Sequence, residues 1–302
     1  MAASGSTAQQ RRPLKAAVEL IRDLGRRPMG FVALVIIAGL LLAVTIGPWL
    51  VGDPSAIDHT RRLEGPSADH WLGTDDLGRD LLARIVVGAR IAMGVAIPAV
   101  VLAMLLGLVL GLVAGYLGGR IDNVVIVITD TLQAFPAVVL ALAILALLGP
   151  SLRNVIIVIA IGFAPGYVRV VRASVLAIKE DVFVQAERAL GAGTGRIISQ
   201  HILPNVLAPM LILMAIDLPV AVTIEAGLSF LGVGVPPPTP SWGVILSDGF
   251  ARVRTAPWAV IWAGLTLMIT TLGFTLLGEA LRDRLDPRVR EVTRRGPRQG
   301  QP

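Results

Sequence analysis

Residues 91–116 read IAMGVAIPAVVLAMLLGLVLGLVAGY, a stretch without a single charged side chain. A helix of about 20 apolar residues crosses a bilayer whose hydrocarbon core is about 30 Å thick. The stretch is therefore predicted to span a membrane as a helix. Comparable apolar blocks recur along the chain, and together they decide its fold class.

The composition of the whole chain agrees with this prediction. Hydrophobic residues make up 54% of it and charged residues 16%, whereas a soluble domain is about 25% charged. A soluble enzyme and a disordered chain are both poor fits to these values. The chain has no cysteine, which excludes disulfides, thiolate catalysis and metal sites built on cysteine.

Six apolar blocks predict an all-α integral membrane protein with six transmembrane helices. The predicted spans are about 29–51, 91–116, 124–149, 154–178, 206–230 and 256–278. They form one membrane domain, 29–281, between an N-terminal tail, 1–28, and a basic C-terminal tail, 282–302. The first block exceeds the usual signal-peptide core of about 7–15 residues and lacks a small-x-small cleavage site, so it is predicted to be an uncleaved helix.

Basic residues are distributed unequally between the two sides of this predicted bundle. Of the 27 lysines and arginines, 19 lie on the side of the two termini and 8 on the other side. The positive-inside rule then places both termini in the cytoplasm. Because the basic residues cluster at the ends of apolar blocks, the net charge of +6 indicates membrane orientation rather than nucleic-acid binding.

Two connections on the predicted outer side are long. Asp80–Arg90 precedes the second span and is either a short amphipathic helix at the interface or an extension of that span. Gly232–Ala256 contains the proline-rich run Val235–Pro240. Proline fixes the backbone and removes hydrogen-bond donors, which predicts a rigid external loop rather than a cytoplasmic signalling ligand.

A charged segment joins the fourth and fifth spans on the predicted cytoplasmic side. Residues 180–190 carry charges at 180, 181, 187 and 188 with mainly apolar residues between them, which predicts a short amphipathic helix ended by Gly191 as a left-handed cap. A second short helix is predicted from Thr194 to about Leu203, before Pro204 opens the next span. Such a hairpin either docks a cytoplasmic partner or merely connects the two spans.

Three acidic residues fall inside predicted spans, where charge is costly unless it faces a bundle interior or an aqueous cavity. Asp130 is predicted to lie at a solvated interface. Asp217 and Glu225 are candidate pathway-lining residues, with pairing to polar partners in another subunit and a proton relay as the alternatives. None of the three histidines lies in a span: His59 and His70 belong to the first outer connection and His201 to the cytoplasmic one. No pair has the spacing of metal ligands, so no metal site and no catalytic grouping is predicted.

The stretch from Gln185 to Pro204 resembles the EAA loop of ABC-importer permeases. Its pattern is Glu-Ala-Ala, three residues, Gly, nine residues, then Ile-x-Leu-Pro. Residues 185–187 stand for the triplet, Gly191 for the glycine and Leu203–Pro204 for the ending, with matching spacing throughout. Two departures are Gln185-Ala-Glu in place of the triplet and His201 in the isoleucine place.

Two further stretches are similar to signatures of one subfamily. Residues 71–80, WLGTDDLGRD, resemble the outer-loop signature of the C-type permease of dipeptide, oligopeptide and nickel importers. Residues 225–234, EAGLSFLGVG, and 237–243, PPTPSWG, resemble another signature of the same subunits. The resemblance runs from about Arg26 to Asp286 and has three separated motifs in the expected order.

This resemblance implies a permease subunit in the cytoplasmic (inner) membrane of a bacterium. Its implied partners are a B-type permease, two ABC ATPase subunits and an extracytoplasmic peptide-binding protein. The implied site is a coupling loop that sits in an ATPase groove. Its residues are Gln185, Ala186, Glu187, Arg188, Ala189, Leu190, Gly191, Ala192 and Gly193.

No catalysis is expected in this chain itself. It has no phosphate-binding loop of the Gly-x4-Gly-Lys-Ser/Thr kind, so no cofactor is expected here and ATP with Mg²⁺ belongs to the partner ATPases. The leading cargo is di- and oligopeptides, with nickel complexes, glutathione or other small peptide-like solutes as alternatives. An ion-gradient-driven secondary transporter is the alternative of another class, but it predicts internal inverted repeats, and none is convincing.

Overall fold

The computed structural model describes residues 22–285. Of the two predicted tails, residues 1–21 and 286–302 lie outside the described part. The helices are α1 (Pro28–Thr45), α2 (Leu81–Leu117), α3 (Gly119–Ala134), α4 (Ala137–Leu148), α5 (Leu152–Lys179), α6 (Val182–Ala189), α7 (Thr194–Phe230), α8 (Trp242–Phe250) and α9 (Trp258–Leu285). A further turn, Gly47–Leu50, follows α1.

The prediction of an all-α membrane protein is confirmed. Five helices are long and apolar enough to cross a bilayer, namely α1, α2, α5, α7 and α9, and a sixth span results if the bent pair α3–α4 counts as one. Within residues 22–285 the only strand-like pairing is an isolated bridge between Thr74 and Asp80. We call the two ends of the bundle the α6 end and the α8 end.

The centre of the bundle is the packing of α2 against α5, the most extensive helix contact in the described chain. Glycines at every fourth position of α2 make this approach possible. A Cβ at Gly111 would lie 2.6 Å from the Val171 Cβ, and a Cβ at Gly115 would lie 2.8 Å from the Val175 Cβ. Small residues at such spacing let membrane helices approach closely, where van der Waals packing holds them together.

The third predicted span, 124–149, is not one straight helix. It forms α3 and α4, which are bent by 94° at the break between them. Phe135 at the break is extended, with φ −87° and ψ 136°, because a residue that precedes a proline is pushed out of the helical region. Pro136 then caps the start of α4. The bent pair lies where the third span is predicted, and it counts as the sixth span if its two helices cross the membrane together.

The second helix settles one of the alternatives left open by the sequence. α2 begins at Leu81, so the segment after Asp80 lengthens the second span and is not a separate interfacial helix. Asp80 forms the N-cap, since its carboxylate accepts a hydrogen bond from the Ala83 N–H at 2.8 Å. The resulting helix of 37 residues is about 55 Å long and connects the two ends of the bundle.

Two other elements differ from the sequence prediction. The short helix predicted after Gly193 does not stop at Pro204 but continues through a π-helical turn, Ile198–Ile202, into the fifth span. Proline is accepted there because it lies in the first turn of the regular α-helical part, where its missing N–H costs little. The connection predicted as a rigid loop, 232–256, contains the helix α8.

Buried charges fix the α8 end of the bundle. Arg84 is 2% exposed, and its Nη1 and Nη2 atoms lie 2.9 Å from an Asp75 carboxylate oxygen and 3.3 Å from an Asp248 carboxylate oxygen. Burial raises the pKa of Asp248, and the nearby Arg84 guanidinium opposes that rise. The buried Trp242 donates from Nε1 to the Ile85 carbonyl at 3.0 Å, so the loop before α2 and the helix α8 are held against the same turn of α2.

Candidate functional site: the α6 loop

The α6 loop comprises residues 180–193 and projects from one end of the bundle. Its helix ends in a Schellman motif: the Ala192 N–H donates to the Glu187 carbonyl and the Gly191 N–H donates to the Arg188 carbonyl. Gly191 has φ +88°, a conformation that glycine adopts without steric cost. The predicted helix and its glycine cap are both present, with the helix two residues later at its start.

The helix α6 exposes most of its apolar side chains. Val184 is fully buried, whereas Val182 is 79% exposed and Leu190 is 88% exposed. Phe183 lies between these extremes at 44%. Exposed apolar residues that cluster on one loop, next to charged neighbours, are typical of a protein-binding surface.

One contact ties α6 to the π-helical turn of α7. The His201 Nε2 atom lies 3.0 Å from a Glu187 carboxylate oxygen, and the Phe183 ring meets the imidazole edge to face with 5.3 Å between centroids. Single π turns inside α-helices are frequent at functional sites. Glu187 and His201, which both depart from the family pattern, therefore face each other in the fold.

A second contact ties α6 to α2. The Arg188 guanidinium donates to the Tyr116 hydroxyl at 3.3 Å, and the same hydroxyl donates to the Thr194 hydroxyl at 3.2 Å. Sequence reasoning missed Tyr116, which stands at the end of a charge-free span. The one feature of the sequence that could have pointed to Tyr116 is its position: it is one of two tyrosines in the chain and lies just before the pair Gly118–Gly119.

All nine residues predicted as a coupling loop lie in the α6 loop. Gln185, which occupies the glutamate place of the family pattern, is exposed and donates from Nε2 to the Glu180 carbonyl at 3.1 Å. Ala192 packs against the core of the bundle, and Gly193 begins α7 as its N-cap. The predicted residues thus form one continuous surface with a fixed base.

The two predicted pathway residues lie on α7, away from this loop and in different surroundings. Asp217 is half-buried and has the Tyr167 hydroxyl of α5 beside its carboxylate. Glu225 is fully buried, and its carboxylate accepts a hydrogen bond from the Ser229 hydroxyl at 2.8 Å. The Ser229 hydroxyl also accepts the Val235 N–H at 3.2 Å, which joins Glu225 to the loop before α8.

The third acidic residue lies on the bent pair. Asp130 is 2.7 Å from an Arg169 nitrogen on α5, and both side chains are about half exposed, at 54% and 55%. Arg172, one turn further along α5, pairs with Asp122 of α3 at 2.7 Å. Arg169 and Arg172 of α5 are therefore each paired with a carboxylate of α3, and Asp130 is a half-exposed ion-pair partner.

Comparison with known proteins assigns the chain to a family. Residues 107–291, which include the α6 loop, match the model of the family described as binding-protein-dependent transport system inner membrane component. The chain belongs to this family. It is accordingly a multi-pass inner-membrane component of a transport system.

Individual relatives are similar over nearly their whole length. The dipeptide transport system permease protein DppC of Alkalihalophilus pseudofirmus is 43% identical, with 90% of each chain covered. The nickel permease NikC of Escherichia coli K12 is 41% identical over 85% of this chain and 93% of its own. The glutathione permease GsiD of Shigella flexneri is 38% identical, again with 90% of each chain covered.

A solved structure shares the fold. The inward-facing MetNI methionine ABC transporter aligns with a TM-score of 0.50 at 21% identity, over 66% of this chain and 96% of that one. At this level of identity the likeness concerns the helical architecture alone. The family assignment rests on the relatives and on the family model.

Proposed function

We propose that this permease subunit moves di- and oligopeptides across the inner membrane as part of an ATP-driven importer. The observation that carries the proposal is the 43% identity to a dipeptide permease over 90% of the chain, within a family whose match includes the α6 loop. This family membership favours an ATP-driven importer over an ion-gradient transporter. Nickel complexes and glutathione are the alternative cargoes, since permeases named for them are 41% and 38% identical.

The α6 loop is the part of the chain that would meet an ATPase subunit. It offers exposed apolar side chains at Val182 and Leu190 on a helix whose two ends are fixed by hydrogen bonds. Because the chain has no phosphate-binding loop of its own, ATP and Mg²⁺ would bind to two partner ATPases. A B-type permease and an extracytoplasmic binding protein complete the proposed assembly.

The orientation of the chain follows from its basic residues. The side predicted to be cytoplasmic carries 19 of the 27 lysines and arginines, and it includes the α6 loop and both tails. We therefore place the α6 end in the cytoplasm and the α8 end outside. This orientation gives α6 access to cytoplasmic ATPases and gives the α8 end access to a binding protein.

Cargo identity is tested with the complete complex in proteoliposomes. We expect di- and oligopeptides, presented with the binding protein, to stimulate ATP hydrolysis and to accumulate inside the vesicles. Glutathione and a nickel complex serve as the competing cargoes in the same assay. Stimulation by nickel or glutathione alone, with no response to any peptide length, would contradict the peptide proposal while leaving the importer class intact.

Of the two candidates for lining the pathway, the half-buried Asp217 is the one we expect solvent to reach, whereas the fully buried Glu225 is expected to have a structural role. Since this chain has no cysteine, an introduced cysteine is the one thiol of this subunit, and its labelling is read on the separated permease band. In the assembled complex, we expect Asp217→Cys to react with a water-soluble thiol reagent and Glu225→Cys to be protected. The reactive control is Leu190→Cys, measured in the isolated permease, where position 190 is exposed. An unreactive Asp217→Cys in both nucleotide-free and ATP-bound complexes would remove Asp217 from the pathway.

A further inference from the structure

Tyr116 occupies a junction between four helices at the α6 end. It lies in the last turn of α2, which ends at Leu117. The Tyr116 carbonyl accepts a hydrogen bond from the Lys179 ammonium at 2.8 Å, and Lys179 is the last residue of α5. The backbone of α2 is therefore tied to the end of α5 just before α6 begins.

The side chain of Tyr116 makes the remaining contacts of this junction. Its hydroxyl lies between the Arg188 guanidinium of α6, at 3.3 Å, and the Thr194 hydroxyl at the start of α7, at 3.2 Å. Two cations lie over its ring, Lys179 at 5.7 Å and Arg188 at 5.8 Å from the centroid. Cations at such distances are attracted by the negative face of the aromatic ring.

The helix that carries Tyr116 is suited to move as a rigid body with α5. Gly111 and Gly115 let the two helices pack with their backbones close, and close packing of this kind leaves little room for one helix to slide past the other. At its far end the same helix carries Arg84, which is held between Asp75 and Asp248. A displacement applied at Tyr116 would therefore reach the α8 end along one element.

We propose that Tyr116 is the positioning residue that passes a displacement of α6 to the α2–α5 pair during transport. The proposal rests on the proposed function, in which an ATPase subunit moves α6. Tyr116 acts through Arg188 and Lys179 and does not touch the ATPase. Substitution of Tyr116 removes the contacts of its ring and hydroxyl with Arg188. The bond from Lys179 to the Tyr116 backbone carbonyl and the contact between His201 and Glu187 remain, so α6 loses this tie to α2 and stays attached to the bundle.

The test compares Tyr116→Leu and Tyr116→Phe in the full complex reconstituted with binding protein and cargo. Leucine removes the hydroxyl and the ring, whereas phenylalanine removes only the hydroxyl and keeps the face for the two cations. We expect Tyr116→Leu to retain the ATPase subunits and to hydrolyse ATP, while cargo imported per ATP falls about fivefold, in the range expected for residues that couple distant sites. Tyr116→Phe should fall between this variant and the wild type.

Leu117→Ala is the matched control, because Leu117 is the next residue of the same turn and its side chain is 60% exposed. It should import the normal amount of cargo per ATP. A wild-type ratio in Tyr116→Leu would overturn the proposal. A second result would also overturn it: Tyr116→Leu loses the ATPase subunits, while Tyr116→Phe keeps them and imports the normal amount of cargo per ATP. Tyr116 would then help to dock the ATPase and would not transmit its movement.

These outcomes are separable from a failure of the proposed function. The variant Leu190→Asp places a charge on the exposed end of α6. If it leaves ATPase association unchanged, then α6 is not the ATPase contact and the proposed function fails at that step. If the Leu190 substitution prevents association as expected and Tyr116→Leu still couples normally, only the assignment of Tyr116 is wrong. Measuring both variants in one preparation of partner subunits decides between these cases.

Discussion

Leu190→Asp is expected to weaken the association of ATPase subunits with the permease about 30-fold, which corresponds to a loss of about 2 kcal/mol at a central interface residue. Leu190 is 88% exposed and stands directly before the glycine cap of α6. An apolar side chain in this position gains by burial against a partner, and a carboxylate there would have to be desolvated without a counter-ion. Co-purification from membranes at graded detergent and salt concentrations measures the effect.

Trp71→Asp is the control for this experiment. Trp71 is also large, apolar and exposed, at 69%, but it belongs to the loop before α2 at the opposite end of the bundle. It should leave ATPase association unchanged. Equal recovery of ATPase subunits with Leu190→Asp and with the wild type would show that Leu190 lies outside the contact.

Gly111→Leu is expected to prevent the permease from folding into its normal bundle. A Cβ at this position would lie 2.6 Å from the Val171 Cβ and 2.8 Å from the Val168 carbonyl oxygen. Because a backbone atom of α5 is involved, rotation of one side chain cannot relieve the clash. We expect a cost of about 4 kcal/mol or more, which is exceptional for one substitution and close to the whole stability of a marginal protein.

Gly94→Leu provides the matched control on the same helix. Gly94 is exposed, and a Cβ added there meets no other atom within 4 Å. The measurement is the monodisperse fraction of detergent-solubilised protein, together with its unfolding temperature. We expect Gly94→Leu to resemble the wild type and Gly111→Leu to be recovered poorly, and a Gly111→Leu protein as stable as the wild type would contradict the close packing of α2 and α5.

The features that the sequence predicted correctly depend on local rules. Long uncharged blocks predict spanning helices because a helix forms all its backbone hydrogen bonds within itself, which a bilayer requires. The helix α5, for example, is observed at Leu152–Lys179, close to the predicted 154–178. The end of α6 was also predictable, since Gly191 can adopt φ +88° at no cost.

The features that the sequence did not predict depend on contacts between distant residues. The 94° bend at Phe135–Pro136 joins two helices, α3 and α4, that both pack on α5. The helix α8 has only nine residues, and it follows the proline-rich run Val235–Pro240, which led to the prediction of a loop for the whole connection. Tyr116 meets Arg188 across 72 positions of the sequence, a separation at which no local pattern indicates a contact.

Cross-linking from position 190 in the complete complex tests the central claim most directly. A photoreactive amino acid replaces Leu190, with Trp71 replaced in a parallel preparation, and the partner that becomes attached is identified by mass spectrometry. We predict attachment to an ATPase subunit from position 190 and none from position 71. Attachment from position 190 to lipid or to another permease, with no ATPase product, would contradict the claim that α6 couples this permease to ATP hydrolysis.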